Sequence, residues 1–427
     1  MKILKKTISE NKKVYFLVGI EIFKTKAISE INVRYKKYYI FGVRIYKKKI
    51  ICDFIDIKQF LILLGSLQES YKTILFFDHS LGGGTETYFF NQLNELKDTC
   101  IVLRFQYYHV IDNYRLTLYY KNDLKYIQSS EISTLLSIIE NISIYEIVVN
   151  NLVGYKNSLD ILELIGKFKQ TIWKNIKLSL RGHDFQAVCP SFNLLNDHIV
   201  YCNVPDIKVC LKCFLKIKLS DNKFLLSGAD DIVLWRKTWN DFFCNSVDEV
   251  MFFSNSTKDI FCQTYPVLKN KFVVMPHFVN KLRRVEIKPH STINIGVLGE
   301  INLIQKGKAI IEKMISLSSN NKNIKFVIVG TFNTKKSHNL SVTGRYKIKD
   351  LPNIVEKEKI DILFIPSIWP ETFSYTTSEA IMMNIPVACF NLGAQAERVF
   401  VYDKGLVINE ISAENALQKI INFIKRK

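Results

Sequence analysis

The chain has 427 residues, of which 48% are hydrophobic, 12% aromatic and 23% charged. This length predicts about two or three domains, and the composition excludes a disordered, collagen-like or mucin-like protein. The 59 Lys and Arg residues outnumber the 40 Asp and Glu residues, so the net charge is +19. An excess of this size favours an anionic partner such as nucleic acid, acidic lipid or a phosphorylated substrate.

The sequence contains no obvious targeting or membrane-spanning segment. No apolar run approaches the roughly 18 uncharged residues that a membrane-spanning helix needs, and the basic residues 1–6 are followed by polar residues instead of the apolar core of a signal peptide. We therefore expect a cytoplasmic protein. Its nine cysteines form no regular framework, which favours reduced thiols or one metal site over disulfides.

The order of apolar segments predicts three regions. Residues 1–66 alternate polar and apolar residues in short lysine-rich segments, so we expect a small basic β-rich N-terminal extension. Short apolar runs then alternate with helical segments, which predicts two α/β domains with parallel sheets, at 67–285 and 286–427. The predicted strands are 73–77, 99–104, 146–149, 176–180, 249–253, 271–275, 293–298, 325–329, 362–365 and 386–389, and the helices of the second domain are 308–318, 375–383 and 413–425.

Ligands of a parallel sheet bind at the carboxyl ends of its strands, so the loops that follow the predicted strands are candidate sites. The first is Gly82-Gly83-Gly84-Thr85, which lies between a strand and a helix. Glycines let the backbone approach a ligand, and the amides at a helix N-terminus attract phosphate. A plain tight turn is the alternative, because the loop lacks the full dinucleotide and P-loop patterns.

The second candidate loop follows the predicted strand 362–365. Its prolines keep residues 366–373 out of a helix, and a helix is predicted from Tyr375 onward. A diphosphate would bind the amides of Ser374, Tyr375, Thr376 and Thr377, where the helix dipole is positive. Glu371 on the loop and Glu379 in the helix would then accept hydroxyl hydrogens from a sugar or ribose. The alternative for each carboxylate is a solvated position near a helix N-terminus.

The same segment carries a family resemblance. Glu371 and Glu379 are separated by seven residues within Pro-Ser-Ile-Trp-Pro-Glu-Thr-Phe-Ser-Tyr and a following Glu-Ala, and Pro-Val comes shortly after. This pattern resembles the signature of the family-four retaining glycosyltransferases. The resemblance implies a GT-B fold, in which two Rossmann-like domains face each other across a cleft that holds the active site.

The resemblance also implies roles for individual residues. It implies that Glu371 contacts donor-sugar hydroxyls, Glu379 binds the nucleotide ribose, Lys306 pairs with the donor diphosphate and Gly82 to Thr85 form the glycine loop of the N-terminal domain. Gly299 belongs to the implied donor site, although Glu300 stands next to it where many members carry a basic residue. His183 would lie near the donor sugar and steady its developing positive charge. Its place after a predicted parallel strand favours a site role over a structural one.

A cysteine-rich insertion at 189–213 is a candidate metal site. Cys210 and Cys213 have the C-x2-C spacing of zinc ligands, and Cys189 and Cys202 would complete a tetrahedral structural site. Reduced buried thiols are the alternative, because the other spacings are irregular. No Asp-x-Asp triplet occurs in the sequence, so we expect no metal or other cofactor in catalysis.

The predicted function is therefore transfer of a sugar from a nucleotide diphosphate donor to a glycan acceptor, with retention at the anomeric carbon. The resemblance implies a lipid-linked acceptor in bacterial surface polysaccharide or lipopolysaccharide synthesis. Basic tracts at 36–37, 47–49 and 425–427 would bind an anionic membrane surface, or they are solvated faces. Two alternatives are a basic zinc-containing nucleic-acid-binding protein and an inactive glycosyltransferase-like scaffold. The first leaves the Glu371 segment unexplained, so we expect no nucleic-acid partner.

Overall fold

A computed structural model describes residues 53–217 and 231–426 in full, together with the backbone of Lys218 and of five strands between residues 4 and 51. The chain divides into two compact units. The first contains Met1–Ile74, Glu95–Phe105 and Asn113–Ser143, and the second contains Leu75–Asn94, Gln106–Asp112 and Ile144–Lys427. The domain boundaries expected at residues 66 and 285 stay predictions.

The strands, in chain order, are β1 (Leu4–Ser9), β2 (Lys12–Leu17), β3 (Ile20–Glu30), β4 (Val33–Ile40), β5 (Val43–Ile51), β6 (Lys72–Asp78), β7 (Cys100–Tyr108), β8 (Asn113–Tyr120), β9 (Asp123–Ser129), β10 (Glu146–Val149), β11 (Lys177–Arg181), β12 (Glu249–Phe252), β13 (Phe272–Val274), β14 (Ile293–Glu300), β15 (Ile324–Thr331), β16 (Leu340–Val342), β17 (Ile362–Ile365), β18 (Val387–Phe390) and β19 (Gly405–Ile408).

The helices, in chain order, are α1 (Ile57–Gln68), α2 (Gly83–Leu96), α3 (Ile132–Glu140), α4 (Ser158–Thr171), α5 (Ile207–Lys218), α6 (Ile232–Asn245), α7 (Asn255–Thr264), α8 (Lys308–Leu317), α9 (Leu351–Lys357), α10 (Tyr375–Met382), α11 (Gly393–Phe400) and α12 (Ala413–Lys425). Among the described residues, no helix has the length and apolar character needed to cross a membrane.

The first unit is rich in antiparallel structure. Strands β1 to β5 form a sheet in sequence order, with antiparallel pairing between each strand and the next. Strands β8 and β9 form an antiparallel hairpin. Helix α1 begins after Asp56, whose carboxylate accepts the backbone N–H of Gln59 at 2.9 Å, the usual way to satisfy a free amide at a helix start. Residues 57–66 of the predicted N-terminal extension therefore lie in a helix.

The second unit contains two sheets of parallel strands. One has the order β13-β12-β11-β10-β6 and the other the order β16-β15-β14-β17-β18-β19. The strand pairs whose register is defined are parallel in both. The predicted α/β architecture with two Rossmann-like sheets is thus confirmed. Parallel strands end at a common edge, so the loops after β6, β11, β14 and β17 carry the candidate site residues.

The sheet that begins with β14 is buried on both faces. On one face Val297 and Phe364 pack with Met314 of α8 and Ile420 of α12. The opposite face packs against α9, α10 and α11 through residues that include Leu351, Ala380 and Val399. Burial on both faces explains why these strands consist of continuous apolar runs in the sequence. The helices thereby fix the strand ends from which the site loops emerge.

Candidate active site

A cavity of about 310 Å³ lies where loops from both sheets of the second unit meet. The residues that line it follow the carboxyl ends of β6, β11, β13, β14 and β17. They are Gly84, Thr85, His183, His277, Lys306, Trp369, Glu371, Thr372, Phe373, Tyr375 and Thr376. Seven residues predicted for the site therefore come together in one place: Gly84, Thr85, His183, Lys306, Glu371, Tyr375 and Thr376.

We call residues 366–374, between β17 and α10, the signature loop. The start of α11 holds this loop in place. The Ala394 N–H donates to the Glu371 carbonyl at 2.8 Å, and the Gln395 side chain accepts the Glu371 N–H at 3.1 Å. A Cβ on Gly393 would lie only 2.5 Å from the Cα of Pro370. Glycine is therefore required for this close approach, which fixes the backbone that carries Glu371.

Glu371 forms a buried ion pair with Lys306. Its side chain is 3% exposed, the Lys306 Nζ lies 2.6 Å from its Oε1, and the Ser367 hydroxyl donates to the same oxygen at 2.5 Å. Burial raises the pKa of Glu371, but Lys306 and the hydroxyls of Ser367 and Ser374 together outweigh burial, so its net pKa is lowered. Glu371 is therefore held as a carboxylate, and Lys306, which is partly exposed, faces both this carboxylate and the cavity.

Glu379, in contrast, is a buried carboxyl group for which no neighbouring positive charge offsets the effect of burial on its pKa. It lies in α10 and is 3% exposed, and its Oε2 has no hydrogen-bond partner among the described residues. Burial raises its pKa to about 7. Buried polar atoms without a partner are uncommon in native proteins. Glu379 is not among the residues that line the cavity, so a ligand hydroxyl could become the missing partner only by reaching this buried oxygen.

The raised pKa of Glu379 predicts a pH-dependent stability. Its pKa is about 7 in the folded protein against an ordinary value of 4.5, so between these two pH values the folded state binds more protons than the unfolded state. Stability must then fall as the pH rises from 4.5 to 7. We expect Glu379→Gln to become more stable than wild type by on the order of 3 kcal/mol at pH 8, with little difference at pH 4.

Urea unfolding at several pH values measures this effect. Glu300→Gln, which changes an exposed carboxylate at the end of β14, is the control and should follow the wild-type curve. Parallel pH profiles for wild type and Glu379→Gln would contradict the assignment of a raised pKa to Glu379.

The N-terminus of α10 is open to an anion. Ser374 is the N-cap residue, but no side chain caps the helix. The hydroxyl of Thr377 instead donates to Ser374 Oγ at 2.9 Å. Uncapped amides at a helix start attract anions because they are unpaired donors at the positive end of the dipole. Tyr375 and Thr376 line the cavity, whereas Ser374 and Thr377 are buried beside it.

His183 is oriented by a hydrogen-bonded chain of buried side chains. The Asn150 Nδ2 donates to Asp78 Oδ1 at 2.9 Å, so the Asn150 Oδ1 faces His183 Nε2 at 3.0 Å. A carbonyl oxygen only accepts, which places the ring proton of His183 on Nε2. Burial, followed by the charge of His277, lowers the pKa of His183 well below its ordinary value. His183 is therefore neutral, with Nδ1 as a hydrogen-bond acceptor.

Two contacts connect the His183 side of the cavity with the signature-loop side. The Thr372 hydroxyl donates to the backbone carbonyl of His183 at 2.6 Å. Glu397 of α11 accepts the backbone N–H of Ser256 at 2.9 Å and that of Asn255 at 3.2 Å, at the start of α7. Acidic side chains stabilise the N-terminus of a helix. These contacts hold the two faces of the cavity together.

His277 is a site residue that was absent from the predicted set. Its Nδ1 lies 2.9 Å from the Tyr375 hydroxyl, and its ring stacks on Phe373 with centroids 4.4 Å apart. Its Nε2 is buried without a hydrogen-bond partner among the described residues, and burial lowers its pKa to about 3. Its loop follows the predicted strand 271–275 and is one of the candidate loops, but no role was assigned to it.

Arg398 is a second residue that sequence reasoning missed. From α11 it donates to the Ser374 carbonyl at 2.7 Å and to the Ser378 hydroxyl, and its guanidinium lies 4.5 Å from the centroid of Phe373. Burial lowers the pKa of Arg398 to about 10. Arg398 therefore stabilises the first turn of α10 by these two hydrogen bonds. No motif marks it in the sequence.

The remaining predicted residues lie outside the cavity lining. Gly82 and Gly83 have φ of +81°, and α2 begins at Gly83. A Cβ on Gly84 would lie 3.3 Å from the Tyr375 ring, so the glycine loop closely approaches α10. Gly299 has φ of +99° and open space around its Cα. The four predicted metal ligands line a different cavity, together with residues such as Arg236.

Comparison with known proteins identifies the fold. Residues 279–427 match the model of the family described as Glycosyl transferases group 1. The structure of Anabaena Alr3699/HepE in complex with UDP-glucose has a TM-score of 0.52 at 13% identity, over 83% of this chain and 90% of that one. Its complex with UDP and glucose gives a TM-score of 0.52 at 12% identity over the same shares.

The solved structure of TarM also matches, at 13% identity and a TM-score of 0.48. The match covers 100% of this chain and 73% of the TarM chain. A search among curated proteins gives no match. The predicted GT-B fold is confirmed, and the match to the family described as Glycosyl transferases group 1 is confined to residues 279–427.

Proposed function

We propose that this protein transfers a sugar from a nucleoside diphosphate donor to a glycan acceptor, with retention of the anomeric configuration. The observation that carries the proposal is the composition of one cavity. It combines the uncapped start of α10 with Lys306 and the buried carboxylate of Glu371, and Glu379, with its unpartnered oxygen, lies in the same helix.

Each part of such a donor has a partner at this site. The diphosphate would accept hydrogen bonds from the backbone amides of Tyr375 and Thr376 and pair with Lys306, because both supply positive potential. The ribose hydroxyls would donate to the free oxygen of Glu379, and the sugar hydroxyls to Glu371. The UDP-glucose complex of HepE, which has the same fold, supports this class of donor.

The proposed retention rests on the resemblance of the Glu371 segment, and the protonation states of the site are compatible with it. The bond between the anomeric carbon and the diphosphate breaks while the acceptor hydroxyl adds from the same face, and the hydroxyl proton passes to the departing diphosphate. The neutral His183 would accept a hydrogen bond from a donor hydroxyl through Nδ1. The carboxylate of Glu371 lies in the same cavity and would stabilise the positive charge that develops on the sugar ring.

Replacement of His183 tests the proposal. A thermal-shift screen of nucleotide sugars first identifies the donor, since a ligand that binds only the folded state raises its apparent stability. We then expect His183→Ala to unfold at nearly the wild-type temperature and to lose about 100-fold or more in kcat/KM. NMR of the product should show a retained anomeric configuration.

His338→Ala, a change at an exposed histidine, is the matched control and should transfer at the wild-type rate. Wild-type turnover by His183→Ala would refute the role of His183, and an inverted product would refute retention. Absence of transfer and of hydrolysis for every donor would favour an inactive scaffold.

We further propose a lipid-linked acceptor presented at an anionic membrane surface, as in surface polysaccharide synthesis. Helix α5 supports this. This helix has no acidic residue. Its exposed side chains include the basic Lys208, Lys212 and Lys216 and the apolar Val209 and Leu215. Such a combination is typical of helices that lie on membranes. The basic tracts at 36–37 and 47–49 have side chains outside the described residues. Vesicles of anionic lipid should retain the protein at low salt and release it at high salt.

A further inference from the structure

The cysteine-rich insertion brings four thiols to one cavity. Cys189 and Cys202 stand near the two ends of an irregular loop, and Cys210 and Cys213 follow in α5. All four line a cavity of about 380 Å³. Cys210 and Cys213 are three residues apart in a helix and therefore face the same side. Cysteines from the loop and from α5 thus border one common cavity.

The loop between the first two cysteines has an unusual backbone. Three of its residues, Phe192, Leu194 and Ile199, have positive φ, and so do Asn203 and Val204 directly after Cys202. The left-handed conformation costs about 1–2 kcal/mol for a residue with a Cβ, and it is rare for bulky and β-branched side chains. The loop contains one isolated bridge, between Leu195 and Tyr201, and local backbone hydrogen bonds such as that from the Cys202 N–H to the Leu194 carbonyl at 3.0 Å. A loop of this kind persists only when its surroundings hold it strongly.

In the structure the thiols contact neighbouring polar groups. The Cys189 sulfur lies 3.2 Å from the Ser191 hydroxyl, and the Cys210 thiol donates to the Pro205 carbonyl at 3.6 Å. The guanidinium of Arg236 donates to the Cys210 sulfur at 3.3 Å. Among the described residues, no three Cys, His, Asp or Glu side chains are already grouped closely enough to hold a metal ion. Metal binding therefore requires the thiols to turn from these partners.

We propose that Cys189, Cys202, Cys210 and Cys213 bind one structural Zn²⁺ that cross-links the loop to α5. Four cysteine sulfurs are a complete tetrahedral ligand set for zinc, with no position left for a substrate. Each thiol loses its proton on binding, so the centre carries a net charge of −2. Arg236 and Lys212 on the cavity wall supply compensating positive charge, whereas Lys216 pairs with Asp197 at 2.8 Å. The eight described cysteines are free thiols, so no disulfide competes for these sulfurs.

Metal analysis of the purified protein tests the proposal. Protein produced in zinc-supplemented medium should contain about one zinc ion per chain. Cys189→Ser and Cys210→Ser should lower the zinc content at least tenfold. Cys244→Ser is the matched control, because Cys244 is an exposed cysteine of α6 outside the cavity, and it should keep the wild-type zinc content.

A measurement on the wild-type protein covers the case in which a serine variant does not fold. After removal of zinc with a chelator, addition of Co²⁺ should produce the intense visible and near-ultraviolet bands of tetrahedral cobalt bound to thiolates, and zinc should abolish them. Zinc content that is unaffected by Cys210→Ser, or a wild-type protein that gives no such cobalt spectrum, would overturn the proposal. Neither readout depends on transferase activity.

Discussion

Glu371→Gln should lower kcat/KM for sugar transfer by about 10²–10³, the usual cost of losing one preorganised electrostatic group. The substitution preserves the size of the side chain and removes its charge. Glu371 is buried and held as a carboxylate by Lys306 at 2.6 Å, so its field acts in an environment of low dielectric constant. Since the positive charge on the sugar is largest in the transition state, we expect most of the loss in kcat.

Steady-state kinetics with the preferred donor measure this loss. Asp403→Asn is the matched control because Asp403 is an exposed carboxylate before β19 in the same sheet region, and its kinetics should equal those of wild type. If Glu371→Gln changes KM alone, Glu371 binds the donor in the ground state without stabilising the transition state.

Gly307→Ala should destabilise the protein by about 2–4 kcal/mol and strongly reduce donor binding. Gly307 lies between Lys306 and α8 with φ of +78°, and a Cβ there would stand 2.0 Å from the Pro366 carbonyl oxygen. That contact is with backbone, which cannot move aside as a flexible side chain would. The start of α8 must then separate from the signature loop, and the ion pair between Lys306 and Glu371 is disturbed.

Urea unfolding and a donor titration by thermal shift measure the two effects. Gly344→Ala separates the steric cause from backbone strain, because Gly344 has φ of +81° with open space around its Cα. It should cost only about 1–2 kcal/mol and leave donor binding intact. Equal losses for the two variants would show that the contact with Pro366 contributes nothing.

Much of the α/β framework can be predicted from the sequence. Strands β10 and β17 and helix α12 have the predicted bounds, because buried parallel strands form continuous apolar runs and α12 is amphipathic with Ser412 as its N-cap. The hairpin of β8 and β9 was not predicted. Its turn contains Lys121 with φ of +51°, where the usual glycine signal is missing.

Helix α11 shows the limit of local signals. No helix was predicted at 393–400, because α11 is short and starts without a capping side chain. It is stabilised by tertiary contacts, such as the bond from the Ala394 N–H to the Glu371 carbonyl. A pattern that describes one segment at a time does not contain this information.

Site residues could be predicted from the sequence where they lie in loops that follow predicted strands. Glu371, Lys306 and His183 are found in this way, and the structure brings them to one cavity. The role of Asn150 depends on His183, 33 residues away, and that of His277 depends on Tyr375, 98 residues away. Such pairings arise from the three-dimensional arrangement, so sequence spacing does not reveal them.

The contacts of Thr372 with the His183 carbonyl and of Glu397 with the start of α7 have a kinetic consequence. If the two sides of the cavity separate, both contacts break together. Each such bond contributes about 0.5–3 kcal/mol. Opening of the cavity would therefore cost the free energy of both contacts, and mutation of Thr372 or of Glu397 would lower that cost separately.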